Sequence, residues 1–94
     1  MIVATFKNSL AKDFPPEGLS VYLQALWYDA KGDWQTAHDL VDQLDGQTAA
    51  HVHAYLHRKE GDRWNAQYWY NRAKQPMPNQ SLDAEWEELL NALI

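Results

Sequence analysis

The chain has 94 residues, a net charge of −5 and no cysteine. Its length predicts a single domain, since most domains run from about 50 to 250 residues. The lack of cysteine excludes disulfides and thiol chemistry, and the negative charge argues against nucleic-acid binding, whose affinity depends on neutralising phosphates.

An N-terminal arm and a helical hairpin are predicted in the first half of the chain. Residues 1–14 form either a short helix or an extended arm, and Pro16 suits the first turn of the helix that follows. Apolar residues at helical spacing then cover residues 19–46 in two runs. The runs meet at Gly32-Asp33, where the glycine can close one helix in the left-handed conformation and the aspartate can cap the next.

A second hairpin and a final helix are predicted in the rest of the chain. The hairpin covers residues 48–78, with Thr48 as its first N-cap and Gly61-Asp62 at its turn. The last helix, residues 81–94, carries an apolar stripe that can cap the open end of this hairpin. We expect a monomer capped in this way, and the alternative is a homodimer in which the helix reaches a second copy.

An internal repeat of 29 residues relates the two hairpins. Small residues at a helix crossing allow close approach, and a two-residue connection makes neighbouring helices antiparallel. The sequence therefore predicts an all-α fold of two antiparallel hairpins and a C-terminal helix. The pairs that the repeat superimposes are Ala25 and Ala54, Tyr28 and His57, Gly32 and Gly61, Asp33 and Asp62, Ala37 and Ala66, and Val41 and Tyr70.

This pattern resembles the tetratricopeptide repeat (TPR) family, which implies a short TPR-like superhelix that binds a partner. The chain departs from the family in its period, 29 against about 34 residues, and in Val21 and Ala50 at the place of the early tryptophan. Residues 53–73 are also similar to a family of small bacterial proteins, a likeness that implies no activity. The family pattern is matched in the second unit by Ala54, Gly61, Ala66, Tyr70, Ala73 and Pro78, with His57 in place of tyrosine, and in the first by Ala25, Tyr28, Gly32 and Ala37.

The densest polar cluster is predicted on the second hairpin, in two runs with i, i+4, i+7 spacing. If the runs converge, Arg72 can bind a carboxylate or phosphate while a histidine transfers a proton. The alternative, which we favour, is that these groups satisfy one another, with Glu60 paired to Arg72. The runs are His53, His57 and Glu60, and Asn65, Trp69 and Arg72.

Two of these histidines also have the spacing of metal ligands. His53 and His57 could share one Zn²⁺ with Glu60 or His38 as a third ligand. However, Ala54 follows His53, so the His-Glu-x-x-His motif is absent. We therefore predict no native metal ion and no cofactor. Nucleophile motifs and a Gly-rich phosphate loop are also missing, so an enzyme is left open but is not favoured.

The favoured function is a protein-interaction module, implied by the resemblance to the repeat family. In that family's groove, Arg58 and Lys59 would suit an acidic protein or peptide. The alternative is a small-molecule-binding protein or enzyme that uses the His53, His57, Asn65 and Arg72 pocket. The groove positions that the resemblance implies are Tyr22, Leu26, Asp29, His51, Tyr55, Arg58 and Lys59.

The sequence also predicts where the protein is located. No apolar run reaches the roughly 18 residues that cross a bilayer, and the N-terminus lacks the pattern of a secretory signal. We expect a cytoplasmic protein that contacts neither membrane nor nucleic acid.

The chain has five Trp, five Tyr and two Phe residues. We assign them mainly to the core, and the alternative is an exposed recognition surface.

Overall fold

Six helices form the fold in the computed structural model, which describes all 94 residues. The predicted all-α class is confirmed, and the undecided N-terminal arm contains a short helix. No helix combines the length and apolar character needed to cross a bilayer. The helices are α1 (Val3–Ser9), α2 (Val21–Ala30), α3 (Trp34–Asp42), α4 (Gln47–Glu60), α5 (Arg63–Ala73) and α6 (Leu82–Leu93).

The two predicted glycine–aspartate turns join α2 to α3 and α4 to α5. Gly32 and Gly61 have φ angles of 85° and 88°, a region that favours glycine because a Cβ atom is strained there. The Asp33 side chain accepts a hydrogen bond from the backbone N–H of Thr36, and the Asp62 side chain caps α5 in the same way. The predicted turns and caps are therefore confirmed.

Two predicted helix starts are wrong. Helix α2 begins at Val21 and not near Pro16, because the Ser20 hydroxyl caps it by accepting from the N–H of Leu23 at 3.2 Å. Thr48 does not cap α4. That helix begins one residue earlier, after Gly46, which has a φ of 101° and provides no side-chain cap.

The repeat-related residues occupy equivalent places in the two hairpins. Ala25 and Ala54 are both fully buried, as are Ala37 and Ala66, which allows the helices of each hairpin to lie close together. Helix α4 also packs against α2 and α3, so the hairpins stack. The main core then runs from Phe6 of α1 through α2, α3 and α4 to α6. A smaller cluster of Ala54, Ala66 and Tyr70 fills the contact between α4 and α5.

Helix α6 lies across α2 and α4, not on the open end of the second hairpin. Its Leu89 and Leu90 belong to the common core, and the Trp86 indole donates to the carbonyl of Leu26 at 3.0 Å. From the other side, Phe6 of α1 packs with its ring centroid 6.1 Å from that of Trp86. The first and last helices thus cover one face of the stacked hairpins.

Candidate functional site

Arg58, predicted to bind an acidic partner, instead contacts α6 of its own chain. Its guanidinium donates to Glu85 at 3.0 Å and to the carbonyl of Gln80. The buried Glu85 carboxylate also accepts from the Tyr70 hydroxyl at 2.7 Å and lies 3.6 Å from Nε2 of His51. Helix α6 therefore supplies the carboxylate that a bound peptide would otherwise provide.

This network controls the protonation of Glu85. Burial by itself disfavours the charged carboxylate, but hydrogen bonds from His51, Tyr70 and Arg58 outweigh it and lower the pKa of Glu85 below its usual value. Burial, followed by the hydrogen bond to Glu85, raises the pKa of Tyr70. The carboxylate is therefore ionised at neutral pH, and the phenol stays protonated and donates to it.

Lys59 and Tyr55, also predicted for the groove, converge on Asp29 of α2. Lys59 Nζ lies 2.8 Å from one carboxylate oxygen of Asp29, and the Tyr55 hydroxyl donates to the other at 2.7 Å. Burial, together with the bond to Asp29, raises the pKa of Tyr55. An open cleft of about 470 Å³ beside them is lined by both signs of charge, including Lys7 and Glu87. This face of the hairpins is internally paired.

Three of the four histidines gather between α3 and α4. Nε2 of His53 lies 3.0 Å from Nε2 of His38, and the rings of His53 and His57 stack with centroids 4.8 Å apart. Trp69 stacks on His53 at 4.1 Å, and Trp34 stacks on His38 at 4.9 Å. Two indoles therefore enclose the histidine cluster from opposite sides.

The predicted pocket of His53, His57, Asn65 and Arg72 does not converge. His53 is buried against His38, whereas the Asn65 amide donates to Asp62 at 2.6 Å. The Arg72 guanidinium lies over the rings of Tyr68 and Trp69, so the Trp69 indole separates it from His53.

The predicted pairing of Glu60 with Arg72 is wrong. Glu60 instead lies 2.6 Å from Nδ1 of His57, because the i, i+3 spacing places these two side chains on the same face of α4.

An exposed aromatic and cationic face runs along α5. Trp64 is 77% exposed and Tyr68 is 44% exposed, and their rings are nearly parallel with centroids 6.4 Å apart. Arg72, a further turn along, places its guanidinium 5.8 Å from the Tyr68 ring and 5.1 Å from the Trp69 ring. The aromatic residues were expected mainly in the core, so this face was missed. The signal that could have predicted it is the spacing of residues 64, 68 and 72 in a helix without an acidic residue.

Comparison with protein-family models, curated proteins and solved structures found no match to this chain. The fold and the sites define it as a small all-helical protein with two stacked hairpins, an internally paired inner face, a histidine cluster and an exposed aromatic face.

Proposed function

We propose that this chain is a protein-interaction module that binds an acidic segment of a partner through the outer face of α5. The observation that carries the proposal is Trp64, which keeps 77% of its surface exposed while it stacks on Tyr68. Large aromatic side chains are usually buried, and an exposed cluster of Trp, Tyr and Arg has the composition of interface hot spots.

The charge of α5 supports an acidic partner. Arg63, Arg72 and Lys74 lie on α5 or at its C-cap and form no ion pair with a carboxylate, in contrast to Lys7, Arg58 and Lys59. Helix α5 has no acidic residue of its own. In a chain of net charge −5, this face therefore attracts carboxylates that the rest of the surface repels.

The position of Arg72 supports recognition of a carboxylate. Its guanidinium donates to no carboxylate, and it is held by the Tyr68 hydroxyl, to which it donates at 3.0 Å, and by the Trp69 ring. A guanidinium held in this way loses little further freedom when it binds a carboxylate through two hydrogen bonds. Asp42 and Asp45 line the cleft on its other side, which confines an acidic segment to the side of Trp64 and Tyr68.

The test uses a short synthetic peptide that alternates glutamate and leucine, with the corresponding lysine peptide and oligouridylate as comparison ligands. Chemical shifts of the backbone amides and indole N–H groups are followed by NMR. We expect the glutamate peptide alone to bind, with the largest shifts at Trp64, Tyr68 and Arg72. Trp64→Ala and Arg72→Gln should each weaken binding at least about fivefold, which corresponds to a loss of about 1 kcal/mol of binding free energy.

Phe14→Ala provides the matched control, because Phe14 is also 77% exposed but lies outside α5. This variant should bind the glutamate peptide with unchanged affinity. Equal binding by the α5 variants, a preference for the lysine peptide, or a preference for oligouridylate would each overturn the proposal.

A further inference from the structure

The histidine cluster brings metal-binding atoms from both hairpins to one place. His38 comes from α3, His53 and His57 come from α4, and one ligand nitrogen from each lies within 4.8 Å of the others. Asp42, one turn after His38, places Oδ1 3.8 Å from Nε2 of His38 and 3.8 Å from Nε2 of His53. Three imidazoles therefore lie together between α3 and α4, and the Asp42 carboxylate lies beside two of them.

The separations between these atoms fit a tetrahedral zinc site. Zinc binds histidine nitrogen at about 2.0–2.1 Å, so neighbouring ligand atoms around it lie about 3.3 Å apart. The two Nε2 atoms of His38 and His53 are 3.0 Å apart, and each is 3.8 Å from Asp42 Oδ1. These three distances lie on either side of the tetrahedral value. A ring nitrogen of His57 lies within 4.8 Å of those of the other two histidines, so His57 has to move closer to complete a metal site.

The types of ligand atom in the cluster also fit zinc. Neutral imidazole keeps the lone pair that binds a metal. Imidazole and carboxylate ligands without a thiolate suit zinc among the divalent transition metals.

Two further observations distinguish this cluster from a set of histidines that only satisfy one another. Glu60 lies 2.6 Å from Nδ1 of His57, and a carboxylate on one ring nitrogen is the arrangement that orients a histidine whose other nitrogen binds a metal. His38 Nδ1 is buried and has no hydrogen-bond partner. Hydrogen bonds within the cluster thus leave one buried nitrogen unsatisfied.

We propose that His38, His53, His57 and Asp42 bind one Zn²⁺ ion that links the two hairpins. Helix α3 of the first hairpin provides His38 and Asp42, and α4 of the second provides the other two ligands. The ion therefore crosses the junction where the hairpins stack, and binding stabilises the folded chain, since the unfolded chain does not hold these ligands together. This proposal is independent of peptide binding by α5.

The test uses the full chain, purified without a polyhistidine tag and freed of metal with a chelator. Titration with Co²⁺ should produce the visible absorption of tetrahedral cobalt, saturating at one ion per chain. Zn²⁺ should displace the cobalt and raise the melting temperature. Isothermal titration then gives the zinc affinity of each variant.

Variants at the rim and at the centre of the cluster test the ligand set. His38→Gln and Asp42→Asn should weaken zinc binding by more than tenfold, and Glu60→Gln by about tenfold through the orientation of His57. The Asp42 side chain is 43% exposed, so its variant should fold normally. His51→Gln is the matched control, because His51 is the remaining histidine and lies at Glu85, and it should leave zinc affinity unchanged.

The proposal is overturned if Co²⁺ produces no saturable tetrahedral spectrum. It is equally overturned if Asp42→Asn and His38→Gln bind zinc as wild type does, or if these variants lower the melting temperature by the same amount with and without zinc. The last result would show that the histidines act only through their contacts with one another.

Discussion

Glu85 carries the main polar connection between α6 and the second hairpin. It is buried, and Arg58 and Tyr70 both donate to its carboxylate. Removing the charge from such a group leaves the partly buried guanidinium of Arg58 without its counterion, which is costly in a weakly polar environment. The polar part of the contact between α6 and the second hairpin therefore depends on this one side chain.

The protein should lose stability in acid through Glu85. Because the pKa of Glu85 is lowered in the folded state, the unfolded chain takes up its proton first as the pH falls. The contribution of Glu85 is complete above the unfolded pKa of about 4.5, and it is lost as the pH falls through the lower folded value. Urea unfolding at several values between pH 7 and pH 3 measures how the free energy of unfolding changes with pH.

Glu85→Gln should be less stable than wild type by about 3 kcal/mol at pH 7 and should show a shallower decline below pH 5. Glu17→Gln, at an exposed position, is the control and should match wild type at every pH. If the free energy of unfolding of Glu85→Gln falls with pH as steeply as that of wild type, other titrating groups cause the loss of stability in acid.

At the scale of the elements, each hairpin depends on alanines at its helix crossing. Ala54 and Ala66 are fully buried where α4 meets α5, beside the buried ring of Tyr70. A larger side chain at this crossing forces the helices apart, because protein interiors are already close-packed. The repeat of 29 residues reflects this constraint, since Ala25 and Ala37 meet it in the first hairpin.

Ala66→Leu should lower the free energy of unfolding by about 1–3 kcal/mol through overpacking. Gln67→Leu adds an equally large side chain at the neighbouring, exposed position of α5 and should change stability by less than about 0.5 kcal/mol. Chemical denaturation of both variants measures the difference. If Ala66→Leu unfolds at the wild-type midpoint, the contact between α4 and α5 is looser than the structure indicates.

At the scale of the whole molecule, two stacked hairpins are stabilised by the helices that precede and follow them. Repeat proteins generally need three or more units, because a short stack leaves an apolar face uncovered. Here α1 and α6 place Phe6, Leu89 and Leu90 in the same core as the hairpins. The apolar stripe of α6 is therefore covered within one chain.

We consequently expect a monomer in solution. The Cα radius of gyration is 12.4 Å, close to the value of about 12.4 Å that the chain length predicts for a compact domain. Small-angle scattering and analytical ultracentrifugation should give the mass and size of one chain, at the same value over a wide range of concentration. A dimer that persists on dilution would indicate that α6 exchanges between copies.

The features that the sequence predicted correctly are local ones. The Gly32-Asp33 and Gly61-Asp62 turns follow from the left-handed preference of glycine and the capping preference of aspartate, which act over a few residues. Helical spacing and the repeat then predicted both hairpins. The start of α4 was predicted too late, because the prediction used the local capping preference of Thr48. In the structure Gly46 occupies the N-cap position instead.

The inner face and the histidine cluster depended on tertiary structure. His38 lies 15 residues from His53 and Arg58 lies 27 residues from Glu85, and spacing along one helix does not predict contacts between helices. Arg58 pairs inside the protein because α6 lies against α4, and Lys59 does so because α2 lies there too. His38 joins the other two histidines because α3 packs on α4. Local preferences determine where helices begin and end. Which side chains contact each other depends instead on how the helices pack to bury apolar surface.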